Sequence, residues 1–417
     1  MTDRWGLDVT IPDLRHDGDS RDDLDSPLDR FERLLIAYLT LSADIPAQLI
    51  AAITTPAAPL ARIAAGYLFV QAHTVADHRR AAEIVQHLEA LLVGDPGLLN
   101  ERERAHLGAL TLIVAGQTDA AADAFDALLA KWPTDLLAVR LAHFVLFNRG
   151  RLDDMLASVV RSSDAWGDLP FRSYLDGMRA FTLEEMGEYR QAEAIGRAAV
   201  EVDPTDLWSV HAVVHVLEME ARTAEGVAWF EARDDQFTGA FARHLWWHHA
   251  IIHLRTGDHR RLLELYDTRV QPGQALDGLS LTNAIDGLAR LEFAGVDVGD
   301  RWTALLDAAQ YRIGYHDHPF NDSHYAYALV RAGAPDRARD LLDGMAAWRE
   351  RGTTAAGVIE LVGLDTATAM AALAGGDHST AASLLSQRRG DRWQLGGSHA
   401  QRRLFDLAEQ FAQASGR

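Results

Sequence analysis

Apolar residues recur along this chain at intervals of three and four, the pattern of helices that bury one face. Segments such as Asp336–Met345 and Arg403–Ala414 show it clearly, and strand-like alternation is weak throughout. Small residues punctuate the helical stretches at regular intervals. Gly187-Glu-Tyr189-Arg-Gln-Ala192, then Ala199 and Pro204, places glycine in a turn, an aromatic two later, small residues for close packing and proline at the end. Gly116 with Ala121, Phe125 and Pro133 repeats that phase. Further turn positions fall at Gly150, Ala221, Gly257, Gly295, Gly333 and Gly376, so successive turns lie 34, 37, 34, 36, 38, 38 and 43 residues apart.

A helical hairpin of the tetratricopeptide class takes about 34 residues. The pattern predicts an all-α fold, a right-handed α-solenoid of about eight or nine stacked tetratricopeptide-like hairpins around one continuous core. Residues 28–417 form that single domain. Residues 1–27, with their Asp/Arg-rich run, read as an N-terminal acidic arm or cap.

One predicted helix is neither plainly apolar nor plainly solvated. Trp208, His211, His215 and Glu218 follow one another at intervals of three and four, so all four project from one helical face. In this repeat class the turn residue takes the fifteenth position, and the first helix faces the concave groove through positions two, five, nine and twelve. Counting back from Ala221 puts these four residues there. The same phase brings His244, Trp247 and His248 to the groove in the next repeat, then Asp286, then His324 with Asn321 and Asp322 beside it. His211, His248, Asp286 and His324 would form a ladder across adjacent first helices. His249 and His253 rotate away from that face, and His316 and His318 precede Pro319 at the groove rim. His106 sits three repeats away, and Trp246 reads as core.

Composition narrows the chemistry. Hydrophobic residues make up 48% of the 417, enough for a large core, and the formal charge of −20 argues against binding a phosphate backbone. Lys131 is the one lysine among 40 basic residues, a skew typical of a GC-rich, bacterial coding sequence. Cysteine is absent, which removes disulfides, thiolate ligands and thiol nucleophiles. No basic segment leads into an apolar one at the N-terminus, and no uninterrupted run of about eighteen apolar residues occurs. A cytoplasmic protein with neither nucleic acid nor membrane as partner is the expectation. Glycine-rich phosphate loops and calcium loops are missing too.

Five ordered motifs carry a resemblance. Pro204-Thr-Asp-Leu-Trp-Ser-Val-His-Ala-Val-Val-His-Val-Leu-Glu-Met219 is the longest; His244-Leu-Trp-Trp-His248, Gly295-Val-Asp-Val-Gly-Asp-Arg-Trp302, Phe320-Asn-Asp-Ser-His324 and Gly396-Gly-Ser-His-Ala-Gln-Arg402 follow. From residue 27 onward the chain resembles the tetratricopeptide repeat protein 38 family. Trp246 stands where a polar residue is usual, and the N-terminal arm is unlike the family's. The resemblance implies an α-solenoid and no particular reaction.

The groove residues support two classes of function. In the first, the groove holds a small molecule. His211, His248, Asp286, Asp322 and His324 are then the candidate catalytic groups, and Trp208, His244, Trp247, Asn321 and Arg402 contact the ligand. His211, His215 and Glu218 have the spacing of a helical site for a divalent metal such as zinc or iron, although the His-Glu-x-x-His protease pattern is missing. Metal-free histidine acid–base chemistry, with a carboxylate fixing the tautomer, uses the same residues. Ser398 beside His399 lacks a nucleophile elbow and reads as a helix cap. In the second class the array is a non-catalytic scaffold that binds a protein or peptide, the common use of such repeats.

Overall fold

The computed structural model describes residues 1–11, 26–54, 58–239, 241–273 and 276–415. Among these the chain is helical throughout, apart from a bridge between Thr2 and Asp8, and consecutive helices pack in adjacent pairs. Every predicted turn position has the left-handed backbone that reverses a hairpin. The φ angles are 72° at Gly116, 64° at Gly150, 83° at Gly187, 72° at Gly257, 79° at Gly295, 81° at Gly333 and 87° at Gly376. Ala221 adopts the same conformation at 60°, although its Cβ makes this cost about 1–2 kcal/mol. The repeat phase therefore outweighs local preference at that turn.

The row of hairpins bends until its two ends meet. Thr354 N donates to Gly116 O at 2.9 Å, and Gln117 Nε2 to Gly352 O at 3.1 Å. His73, His78 and Asn148 of the early helices meet Asp317, Tyr315 and His318 of a late loop. The last helix, His399–Ser415, then enters the interior. His399 N donates to Glu185 at 3.1 Å, Arg290 donates to Ala400 O at 2.7 Å, and Phe405 packs on Phe320 and His324.

The expected single continuous core is divided. One apolar cluster runs from Trp5 to Ala212 and the other from Val200 to Ala412, with a small third cluster around Leu183. The helix Leu207–Met219 contributes to both large clusters, Ala212 to the first and Val210, Val213, Val214 and Leu217 to the second. A polar layer of histidine and glutamate lies on this helix.

The first eleven residues pack as a cap. Trp5 and Val9 are buried, Asp3 pairs with Arg102 at 3.2 Å, and Thr10 N donates to Glu103 at 2.8 Å. The acidic run at 12–25 lies outside the described residues. One helical stretch, Thr354–Ala374, is long and apolar enough to cross a membrane by length and composition. It carries Glu360 and Asp365, more than half of its most apolar window is buried, and it packs on Pro319–Arg331.

Candidate metal centre

Three neighbouring helices build the polar layer. Arg172–Glu185 precedes the Gly187 turn, Leu207–Met219 precedes Ala221, and Ala242–Thr256 precedes Gly257. Asp206 starts the middle helix by accepting from Trp208 N at 3.0 Å and Ser209 N at 3.2 Å. Gly177 lets the first helix approach the second closely, because a Cβ there would run into Ser209 Oγ. That approach delivers Glu184 and Glu185 to His215. The second and third helices have fewer close backbone approaches, and imidazole rings fill the gap between them.

His211, His215, His244 and His248 converge in that gap, each offering one nitrogen, with all four nitrogens inside 4.8 Å of one another. All four side chains are buried. His244 Nε2 lies 2.9 Å from His211 Nε2 and 3.2 Å from His248 Nε2. Nitrogens bound at about 2.0–2.1 Å to one tetrahedral ion are separated by about 3.3 Å, and cis nitrogens of an octahedral ion by about 3.0 Å. The two edges at His244 are close to that size, and the other nitrogens lie within 4.8 Å.

Three of the outward nitrogens face polar groups, with a well-formed hydrogen bond at His248 and only an approach at His215. His248 Nδ1 lies 2.9 Å from Glu218 Oε2, His215 Nδ1 is 3.2 Å from Glu184 Oε2, and His244 Nδ1 is 3.3 Å from Asn283 Oδ1. Asn283 Nδ2 lies at 3.1 Å from the same nitrogen, so the orientation of the amide decides which contact forms. Metal-ligating histidines show this arrangement, one nitrogen inward and the other N–H on a carboxylate or amide. It also fixes the tautomer. With its proton on Nδ1 facing Glu218, neutral His248 turns a bare lone pair on Nε2 toward His244.

Hydrogen bonding alone does not satisfy this layer. A neutral imidazole has one donor and one acceptor nitrogen, yet His244 Nε2 faces two other Nε2 atoms. Both nitrogens of His215, His211 Nδ1 and both Glu184 oxygens are buried without a well-formed hydrogen bond. A buried polar atom left so costs about 1–3 kcal/mol. Burial, reinforced by the neighbouring histidines, holds His211 and His248 well below the ordinary imidazole range and His244 down to about 3. Burial also lowers His215 against the pull of Glu185 and Glu218. The imidazoles are therefore neutral near pH 7 and carry lone pairs. Burial pushes Glu184 up to about 8 and raises Glu185 and Glu218 as well. The layer holds three carboxyl groups, and Arg402 approaches one of them, Glu185, at 3.5 Å.

The predicted residues divide into those brought together and those placed elsewhere. His211, His215, His244 and His248 form the centre, and Glu218 stands behind His248 as its acceptor. Trp208 is half-buried against His211 and under the Arg140 guanidinium at 4.4 Å. Trp247 stacks on His244 and donates to Asp286 at 2.8 Å, while Arg290 pairs with the same carboxylate at 2.7 Å. Asp286 thus holds a wall in place and is not a free base. The ladder stops before its last rung. His324 Nδ1 lies 2.8 Å from Phe320 O, and its ring packs on Phe320 and Phe405. Asp322 pairs with His316 at 3.0 Å, and Asn321 is half-buried beside it. Trp246 is core, as expected, and His106 pairs with Asp135 at 2.9 Å.

The centre is interior, where the sequence pointed to an open groove. A cavity of about 580 Å³ lies instead at the chain closure, and none of the predicted site residues lines it. Glu184 and Glu185 were missed, although a signal exists: Glu184 and Glu218 occupy the same repeat position, 34 residues apart. No family model matches the chain.

Proposed function

We propose that this protein is a metalloprotein of the tetratricopeptide repeat protein 38 type, whose working centre is one transition-metal ion, zinc or ferrous iron, held by His211, His215, His244 and His248. The observation that carries the reading is the mutual approach of four neutral imidazole nitrogens that cannot all satisfy one another. A cation accepts every lone pair at once and favours the ionised forms of Glu184, Glu185 and Glu218, which burial alone disfavours. Nitrogen donors without thiolate suit zinc or iron. Glu218 orients His248 and raises its basicity, and Glu184 stands 3.2 Å from His215 Nδ1.

Two other readings have less support. Metal-free acid–base catalysis needs a group titrating near the working pH; three of the four histidines lie far below it, while burial lifts Glu184 to about 8 and raises Glu185 and Glu218. Peptide binding along the inner helix faces is disfavoured because those faces are buried and the last helix packs among them.

Elemental analysis of protein purified from metal-supplemented cells tests the proposal. One tightly held ion per chain is expected in the wild type and none in His211→Ala/His215→Ala. Folded wild-type protein that neither carries a metal nor takes up zinc or ferrous iron after chelation would sink it.

A further inference from the structure

Five arginines are buried among the described residues, and four of them meet oxygen acceptors. Arg102 pairs with Asp3, Arg290 with Asp286 and Arg392 with Glu409, while Arg312 donates to Leu276 O at 3.1 Å. The fifth, Arg140, is 5% exposed, and its Nε and Nη1 are buried without a hydrogen bond. Its guanidinium stands over the rings of Trp208 at 4.4 Å and Tyr38 at 5.6 Å, and among the described residues no carboxylate forms an ion pair with it. Asp206, two residues before Trp208, instead caps its own helix by accepting from Trp208 N and Ser209 N. Buried charges are normally paired, so Arg140 stands apart from the other four.

The groups around it lack acceptors as well. Counting back from Gly150, Arg140 takes the repeat position that His211 takes before Ala221, and both lie on inner helix faces. His143, one turn along the helix Leu136–Asn148, is 1% exposed and has no partner for either ring nitrogen. Its ring meets that of Trp208 at 5.7 Å, and Trp208 Nε1 is itself buried without a hydrogen bond. Guanidinium and indole are donors only, so what complements them is an acceptor with negative charge. Trp208 keeps part of its surface accessible, and its ring lies 5.2 Å from that of His211. The closure cavity of about 580 Å³ comes within one helical turn of Arg140: Phe144 lines it, as does Gln71, which pairs with the Tyr38 hydroxyl.

We propose that Arg140 anchors the carboxylate of a small organic acid, with Trp208 and His143 as further N–H donors and the body of the acid along Trp208 toward His211. A guanidinium fork matches one carboxylate through two parallel hydrogen bonds. A second negative charge, as on phosphate, would stay unpaired among these rings. The binding site stands without a metal; making such an acid the substrate class of the histidine centre rests on the metal reading above.

Calorimetric titration of the intact, chelated protein in chloride-free buffer tests this, using acetate and benzoate beside the uncharged acetamide and benzamide. A carboxylate should saturate at one molecule per chain, about tenfold or more tightly than its amide. Arg140→Met keeps the apolar stem and removes the charge, and it should erase that preference. Without ligand, the variant should unfold at the same denaturant concentration as the wild type or a higher one, because an unpaired buried cation is gone. Any of four binding results would overturn the proposal: no saturable binding of either carboxylate to folded wild-type protein, amides binding as tightly as acids, carboxylate affinity unchanged by Arg140→Met, or chloride binding more tightly than both acids. A lower unfolding midpoint for ligand-free Arg140→Met would overturn it too, since Arg140 would then serve the fold. Carboxylate binding by a protein that elemental analysis finds unable to hold metal would sink the metal reading alone.

Discussion

At the chain closure each histidine faces a different kind of group. His73 meets Asp317 at 2.8 Å, His78 meets the Tyr315 hydroxyl at 2.7 Å, and His318 Nε2 meets Asn148 Oδ1 at 3.2 Å. Asn148 Nδ2 donates to Phe144 O at 3.1 Å, which fixes its amide and makes His318 Nε2 the donor. Each pair joins unlike groups and ties early helices to a late loop, although Asp317 Oδ1 and His318 Nδ1 are buried without a hydrogen bond. In the interior, by contrast, four histidines face one another. Like groups brought together at 2.9–3.2 Å, with nitrogens left without a hydrogen bond, form a cluster that could hold a metal ion. The same residue type thus latches one region and gathers into a possible ligand set in the other.

The sharpest way to break the comparison is to delete the nitrogen that both neighbours share. His244→Ala should lose the metal altogether. With free metal at about a thousand times its dissociation constant, binding stabilises the folded state by about 4 kcal/mol. The variant should therefore unfold at the same denaturant concentration with or without a chelator, while the chelator lowers the wild-type midpoint. An equal chelator effect in both proteins would remove the metal from this layer.

A milder cut keeps the four ligands and changes what stands behind them. Glu218→Gln leaves an acceptor for His248 Nδ1 and removes its charge. Loss of such outer partners typically weakens metal binding about 10- to 100-fold, which competition with a chromogenic chelator would read. An affinity unchanged within twofold would mean that Glu218 does not orient a ligand. The closure carboxylate Asp317 supplies the control, since Asp317→Asn should leave metal affinity where it is.

How much of this was legible depended on whether the information was local. Glycine spacing fixed the repeat phase, and the phase placed His211, His215, His244 and His248 on facing surfaces of neighbouring helices. Ala221 was legible as a turn only because its neighbours set the count. The ladder to His324 failed for a non-local reason: Phe405 on the last helix packs against that ring. The closure latch escaped for a related reason. Whether His73 meets Asp317, 244 residues later, depends on small rotations summed over all the intervening hairpins, and no single repeat records that sum. Division of the core by a polar layer was hidden because the stripe of His211, His215 and Glu218 reads as the lining of a groove, whereas a neighbouring helix covers it.

The smallest expected effect separates the two regions by its sign with pH. Burial depresses His211, so the unfolded chain binds a proton there below about pH 6.5 that the folded chain refuses. Stability from that site is present above about 6.5 and is lost as pH falls below it. His211→Phe should be less acid-sensitive than the metal-free wild type, by up to about 1.4 kcal/mol per pH unit between pH 6 and 5. At His73 burial also opposes the charge, but the Asp317 carboxylate outweighs it and raises the imidazole. Its contribution is complete below about pH 6.5 and disappears as pH rises through the folded value. The deficit of His73→Gln, about 1 kcal/mol for a partly exposed pair, should be larger at pH 6 than at pH 9. Denaturant titrations of the chelated proteins across this range would show the two variants diverging from the wild type in opposite directions. Parallel pH dependence would mean that burial at His211 and the Asp317 carboxylate at His73 do not set these two protonation states apart.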